Sequence, residues 1–297
     1  MRNFETLLNA LRVHHWIKNF LLFIPLLTAH KYYDLDLVLI LCLAFLSFSL
    51  CASSIYIFND ILDIDNDRLH PNKKNRPFAS NKLSIRTGTI IASFTVLIGL
   101  ILSMIISKLF AICLLGYLIL SMAYSLFLKS IKYLDCVILV TLYILRIYSG
   151  GIVVNIIPSF WLILFSILIF MSLAFAKRYI ELNIHYSGKE NLKISGRNYS
   201  IKDLRKLYFA GITSGYISVL ILAIYLGSET VVRLYQSPIF IWIAVPLLLI
   251  WISLVWKKSK DKEINDDPIM FSIKNKWSII IIFLIFLCFF LAQFIEL

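Results

Sequence analysis

Long apolar runs, broken by short polar interruptions, dominate the chain. They lie near 17–30, 37–58, 87–107, 109–127, 133–154, 158–176, 207–227, 237–256 and 277–295. Most are the length of a membrane-crossing helix, about 17–25 residues. The pattern predicts an all-α, polytopic membrane protein with nine transmembrane helices. No linker or shift of composition divides it, so a single integral-membrane domain is expected over 1–297.

Composition points the same way. Of 297 residues 60% are hydrophobic and 15% charged, and mean hydropathy is +0.85. A soluble domain is nearer 45–50% apolar and about 25% charged. The net charge of +12 invites a nucleic-acid reading. The placement of the cations argues against it and predicts no nucleic-acid partner. With a cytoplasmic N-terminus, only Lys31, Lys108 and Arg233 of the 29 Lys and Arg fall outside, and Arg146 lies within a span. That is the positive-inside bias. It predicts a multi-pass protein of the cell (inner or plasma) membrane whose three long connections, 59–86, 177–206 and 257–276, face the cytoplasm. The active site is expected on that side too. The polar, amphipathic start, MRNFETLLNALRVHHWIKN, predicts no cleavable signal peptide. Five scattered cysteines read as neither a disulfide framework nor a metal site.

One polar insert stands out, NDILDIDNDRLHPNKKNRPFA over 59–79. If the second span continues as a helix, Asn59, Asp63 and Asp67 drift only about 40° per step and share a stripe. Asp60, three residues before Asp63, joins that face and Asp65 points away. Carboxylates so close repel one another unless cations neutralise them. Hard oxygen ligands with an amide suit Mg²⁺ bridged to phosphate. Arg68, His70, Lys73 and Arg76 follow at once, which a merely solvated acidic helix end would not require. Pro71 and Pro77 stop the helix and set the loop. His14 and His15, being adjacent, cannot face one metal from a helix; beside Trp16 they read as interfacial.

Asn59-Asp60-x-x-Asp63-x-x-x-Asp67-Arg68, with His70-Pro71 and Arg76-Pro77, resembles the first aspartate-rich motif of the UbiA superfamily of intramembrane prenyltransferases. The resemblance implies a UbiA-like helical bundle, Mg²⁺ as cofactor and a diphosphate substrate in a cavity open to the cytoplasm. Further stretches are similar to the decaprenyl-phosphate phosphoribosyltransferase branch. They are Arg12-x-His14-x-Trp16-x-Lys18-Asn19 with Pro25, Tyr124-Ser125-x-x-x-Lys129, Leu134-Asp135, Arg146 with Gly150, Lys177-Arg178-x-x-Glu181, and Asp266-Asp267-Pro268-x-x-Phe271.

One departure decides between donors. Ordinary superfamily members carry a second aspartate-rich motif after the sixth span. Here Ala176-Lys177-Arg178-Tyr179-Ile180-Glu181 has one acid and two cations. A donor bearing an additional monophosphate would want cations there. The resemblance therefore implies 5-phosphoribose transfer from phosphoribosyl pyrophosphate to a polyprenyl phosphate, in the service of cell-envelope glycan synthesis.

On that reading Asn59, Asp63 and Asp67 hold the metal, with Asp60 as ligand or support. Catalysis is expected of Asp63, Asp67, Lys18 and Arg146. Substrate phosphates and ribose fall to Lys18, Asp60, Arg68, His70, Lys73, Arg76, Tyr124, Lys129, Asp135, Arg146, Lys177, Arg178 and Glu181. Arg146 is the one cation deep in a span. Asp135 lies three turns earlier on the same helix, out of direct reach, so a phosphate or a neighbouring helix is expected as its partner. Asp135 itself reads either as a site residue or as a helix-start dipole partner. Two rivals stand beside this reading. One is prenyl transfer from a prenyl diphosphate to an aromatic or other acceptor. The other is a lipid-phosphate transporter, disfavoured by the scarcity of ionisable groups at mid-membrane.

Overall fold

The computed structural model describes residues 2–69, 73–185, 197–264 and 267–295. Among them every regular element is helical. Eight helices among the described residues are long and apolar enough to cross a membrane. The contacts divide the chain into two compact units, one of 1–128 and 142–158, the other of 129–141 and 159–297.

In the first unit α1 (Arg2–Leu11) leads into a 3-10 helix, Val13–Phe23, and α2 (Ile24–Thr28). Then come α3 (Leu35–Leu62), α4 (Ile64–Leu69), α5 (Ile85–Ile106) and α6 (Lys108–Leu126). The later half of α7 (Leu134–Val153) belongs here as well. Asp34 caps α3 by accepting from the amides of Asp36 and Leu37, and Ser84 caps α5 through Thr87. Both satisfy donors that a helix start leaves open. The centre of the unit is α3, whose second half is rich in buried Ser, Ala and Cys. Small residues let helices approach closely in a bilayer. At Gly99 of α5 a Cβ would press into Cys51 Sγ and the Ser47 carbonyl, and Ser47 Oγ donates to the Gly99 carbonyl at 2.7 Å.

The expected first span, 17–30, is built differently from the other eight. Eleven residues of 3-10 helix followed by five of α-helix replace a single α-helix. At about 2.0 Å per residue for the 3-10 part and about 1.5 Å for the rest, the helical stretch Val13–Thr28, which starts four residues before the expected span, reaches roughly 30 Å. Tighter winding gives a short segment the length of the hydrocarbon layer. Nine is therefore an approximate count.

The second unit holds the first half of α7, then α8 (Phe160–His185), α9 (Asp203–Leu226), α10 (Glu229–Leu234), α11 (Ile239–Lys260), α12 (Pro268–Lys274) and α13 (Lys276–Phe294). Its core joins Leu173, Ala176, Tyr179, Leu207, Trp251, Ile252 and Trp256. The indoles are satisfied as burial demands. Trp256 Nε1 donates to Ser172 at 3.0 Å and Trp251 Nε1 to Ser278 at 2.7 Å. Helix α8 runs nine residues beyond the 176 that hydropathy indicated. Its polar end stays helical because Arg178 is buried and its charge is matched within the unit.

Candidate functional site

The acid motif sits where α3 passes into α4. Asp63 is the C-cap of α3, yet the helical hydrogen bonds run straight through it. Its amide donates to the Asn59 carbonyl at 3.0 Å, and the Asp67 amide donates to the Asp63 carbonyl at 2.8 Å. The spacing that puts 59, 63 and 67 on one stripe is thus kept. Asp60 and Asp67 are buried, Asp63 is half-buried, and the Asp65 side chain is 97% exposed, pointing away as expected.

Two arginines enter this cluster. Arg76 Nη1 lies 2.7 Å from Asp67 Oδ2 and 3.1 Å from Asp60 Oδ1, and Arg12 Nη2 lies 2.5 Å from the same Asp60 oxygen. Arg12 has left-handed backbone (φ 49°) between α1 and the 3-10 helix. That conformation costs about 1 kcal/mol. Arg68 turns elsewhere, donating to the Ala79 carbonyl at 3.3 Å and to Asn81 Oδ1 at 2.9 Å, so it braces the loop. Lys73 is exposed. His70 and Pro71 lie outside the described residues.

Among the described residues no three His, Cys, Asp or Glu side chains converge as a metal cage. The donor set nevertheless suits a hard divalent cation. Asn59 Oδ1 is buried with no hydrogen-bond partner, and the Asp60 and Asp67 carboxylates already converge on one small positive group. An amide oxygen and carboxylates of this kind are Mg²⁺ donors.

A second cluster lies between the N-terminal segment, α3, α6 and α7. Asn19 Nδ2 donates to Ser49 Oγ at 2.9 Å, and Trp16 Nε1 donates to Ser53 Oγ at 2.9 Å. Ser53 in turn donates to the Leu11 carbonyl, and the Arg12 guanidinium lies 5.3 Å over the Tyr56 ring. Ser49, Ser53, Tyr56 and Asp60 form one polar stripe at helical spacing along an apolar span, and the N-terminal segment runs antiparallel down it. Arg146, 4% exposed, closes the far side. Its Nε donates to Asn19 Oδ1 at 2.9 Å, Nη2 to the Tyr117 hydroxyl at 2.9 Å and Nη1 to the Leu142 carbonyl at 2.6 Å. The rings of Phe48, Tyr117 and Tyr143 lie 4.7–5.8 Å from its Cζ. Lys18 Nζ is 6.0 Å from that same Tyr143 ring. One helical turn past Arg146, a Cβ on Gly150 would collide with the Leu22 carbonyl, so α7 and the 3-10 helix touch at backbone distance. Tyr124, on α6 of this unit, is half-buried.

The second unit gathers the other expected residues. Asp135 and Arg178, 0% and 1% exposed, form an ion pair at 2.5 Å. Arg178 Nη1 also donates to Glu181 at 2.6 Å, and Arg197 pairs with the same carboxylate. Tyr199 donates to Asp135 Oδ1 at 2.6 Å and accepts from the Tyr133 amide at 2.8 Å. Burial, then the Cys136 thiol, then the bond to Asp135 push the Tyr199 phenol well above its ordinary range, so it stays a donor. Lys132 pairs with Asp203 at 2.7 Å, and Lys177 lies 3.8 Å from Asp267. Lys129, in a short 3-10 turn, is half-buried. Asp266 lies outside the described residues. Asp135 is thus the partner of Arg178, while Arg146 is held by neutral groups.

Comparison with known proteins fits this architecture. Residues 20–280 match the UbiA prenyltransferase family. Over 283 residues the chain is 34% identical to the nodulation protein NoeC of Azorhizobium caulinodans, covering 94% of this chain and 90% of that one. It is 34% identical to the uncharacterized protein y4nM of Sinorhizobium fredii over 272 residues, 91% of this chain; it spans 52% of that relative, about half its length. The decaprenyl-phosphate phosphoribosyltransferase of Mycolicibacterium smegmatis is 30% identical over 212 residues, 70% of this chain and 67% of that one. Among solved structures, a digeranylgeranylglyceryl phosphate synthase superposes with a TM-score of 0.67 at 20% identity, over 98% of this chain and 99% of that one. A UbiA homologue from Archaeoglobus fulgidus bound to GPP and Mg²⁺ gives 0.66 at 16%, over 95% and 99%.

Proposed function

The chain belongs to the UbiA prenyltransferase family, a family of membrane-bound transferases, and we propose that it moves 5-phosphoribose from phosphoribosyl pyrophosphate to a polyprenyl phosphate. One observation carries the choice of donor. In the second unit Asp135, Glu181, Asp203 and Asp267 each have a basic partner within 4 Å. The region that holds a second acidic motif in ordinary members here offers carboxylates already neutralised by Lys132, Lys177, Arg178 and Arg197. That chemistry receives a phosphate ester better than it holds a second metal. The relatives named decaprenyl-phosphate phosphoribosyltransferase support the same reading.

Asn59, Asp63 and Asp67 would hold Mg²⁺, with Asp60 behind them. When bound, the ion would neutralise the pyrophosphate and make it a better leaving group. The chain's own residues supply the rest. Arg76, already beside Asp60 and Asp67, is placed to turn a guanidinium fork toward pyrophosphate oxygens. Lys18 and Arg146 bring two cations to a buried aromatic wall suited to a lipid phosphate. The acceptor is anionic at neutral pH, so no general base is needed and positioning supplies the rate. The ribosyl C1–O bond to pyrophosphate breaks as one forms to the lipid phosphate oxygen. We place the reaction on the cytoplasmic face of the cell membrane, where the Lys and Arg bias puts the acid motif.

A donor assay in membranes tests the proposal. Label from phosphoribosyl pyrophosphate is expected in a lipid-soluble product only when Mg²⁺ and polyprenyl phosphate are present. Incorporation from a prenyl diphosphate instead would overturn it.

A further inference from the structure

The proposed reaction leaves one groove of the second unit unused. It measures about 270 Å³ and is lined by Tyr179, Leu204, Arg205, Tyr208 and Lys260. Tyr179 sits in the last two turns of α8, Arg205 and Tyr208 in the first two of α9, and Lys260 ends α11. Three membrane-length helices therefore bring polar ends to one place.

The groove has a fixed frame. The Tyr179 and Tyr208 rings are 5.5 Å apart, and Trp256 backs them at 5.9 and 5.5 Å. Gly211 makes room for that indole, since a Cβ there would enter its ring. Asn183 of α8 donates to the carbonyls of Ser259 and Lys260 at 3.3 and 3.2 Å. Such side-chain bonds to the last carbonyls of a helix fix the end of α11 against α8.

The two cations of the groove are exposed, and among the described residues neither is paired with a carboxylate. Arg205 instead lies 5.7 Å over the ring of Phe209, which is 56% exposed. An Arg and a Lys with no carboxylate partner among the described residues, two phenols and an adjoining apolar ring stand where membrane spans end, which is the level of lipid head groups.

We propose that this groove binds the phosphodiester head group of an anionic phospholipid from the surrounding leaflet. Arg205 and Lys260 contact the phosphoryl oxygens, the tyrosine hydroxyls donate from the floor, and Phe209 lies along the first carbons of an acyl chain. A soluble phosphate would gain nothing from Phe209, so the lipid is the favoured source.

Purified full-length protein in neutral detergent is titrated with phosphatidylglycerol, phosphatidylcholine or soluble glycerol phosphate. Bound lipid is counted by native mass spectrometry, and the thermal midpoint is followed in parallel. Phosphatidylglycerol alone is expected to be retained and to raise the midpoint. Arg205→Ala with Lys260→Ala should weaken it about 25-fold, at roughly fivefold per cation, while Lys202→Ala leaves it unchanged. Should the double variant lose helical content, Arg205→Ala alone carries the test at about fivefold. Equal retention of phosphatidylcholine, an equal shift with glycerol phosphate, or unweakened binding by the variants would overturn the proposal.

Discussion

Arg76 Nη1 lies 2.7 Å from Asp67 Oδ2, and the same nitrogen reaches Asp60 at 3.1 Å. A guanidinium thus stands among the acids proposed to receive a divalent ion. Together with Arg12 it offsets the two buried carboxylates, and an incoming cation must compete with it. Arg76→Ala should therefore bind Mn²⁺, a spectroscopic substitute for Mg²⁺, about tenfold more tightly without substrate. That is the scale of one charge-assisted bond released. The same variant should bind pyrophosphate more weakly. Electron paramagnetic resonance titration, with and without pyrophosphate, reads both effects.

The ion pair of Asp135 and Arg178 is nearly solvent-free. Removing one member leaves a buried charge, at a cost of about 3–5 kcal/mol. Arg178→Met and Asp135→Leu should each lower the thermal midpoint strongly, and the double variant should recover much of the loss. A direct role of Arg178 in phosphate binding would instead show as lost donor affinity in a double variant with restored stability.

Arg146 is held by a side-chain amide, a phenol and a carbonyl. A Lys cannot reproduce that fork. Arg146→Lys should free Asn19 and loosen the 3-10 segment, at about 1.5–3 kcal/mol for each charged hydrogen bond lost. Limited proteolysis of the N-terminal segment should speed up, and turnover should fall with it, because Lys18 rides on that segment.

Asp63→Asn combined with Asp67→Asn should abolish turnover while circular dichroism stays native. A lipid-phosphate carrier would keep moving its cargo in liposomes without Mg²⁺ and with this double change.

Much of this was legible in the sequence. The stripe of Asn59, Asp63 and Asp67 follows from helical spacing, and the structure keeps it through the cap at Asp63. Eight spans follow from hydropathy. The 3-10 winding of Val13–Phe23 was not visible, because hydropathy over so short a stretch does not separate three residues per turn from 3.6. The end of α8 was hidden for another reason: charges at Lys177, Arg178 and Glu181 lower hydropathy, but their partners Asp135, Arg197 and Asp267 are distant in sequence. Tyr199 and Tyr117 gave no signal as single polar residues among many tyrosines. The polar stripe of Ser49, Ser53, Tyr56 and Asp60 could have been found, since those positions repeat every three or four residues in an apolar span.

The most direct test of the central claim is the mass of the lipid product. Purified protein is incubated with Mg²⁺, phosphoribosyl pyrophosphate and polyprenyl phosphates of several lengths, and the lipids are analysed by mass spectrometry. The account predicts a polyprenyl phosphate carrying one added phosphoribosyl group, with pyrophosphate released in equal amount. No change in the polyprenyl phosphate, together with a prenylated acceptor when a prenyl diphosphate is supplied, would contradict it.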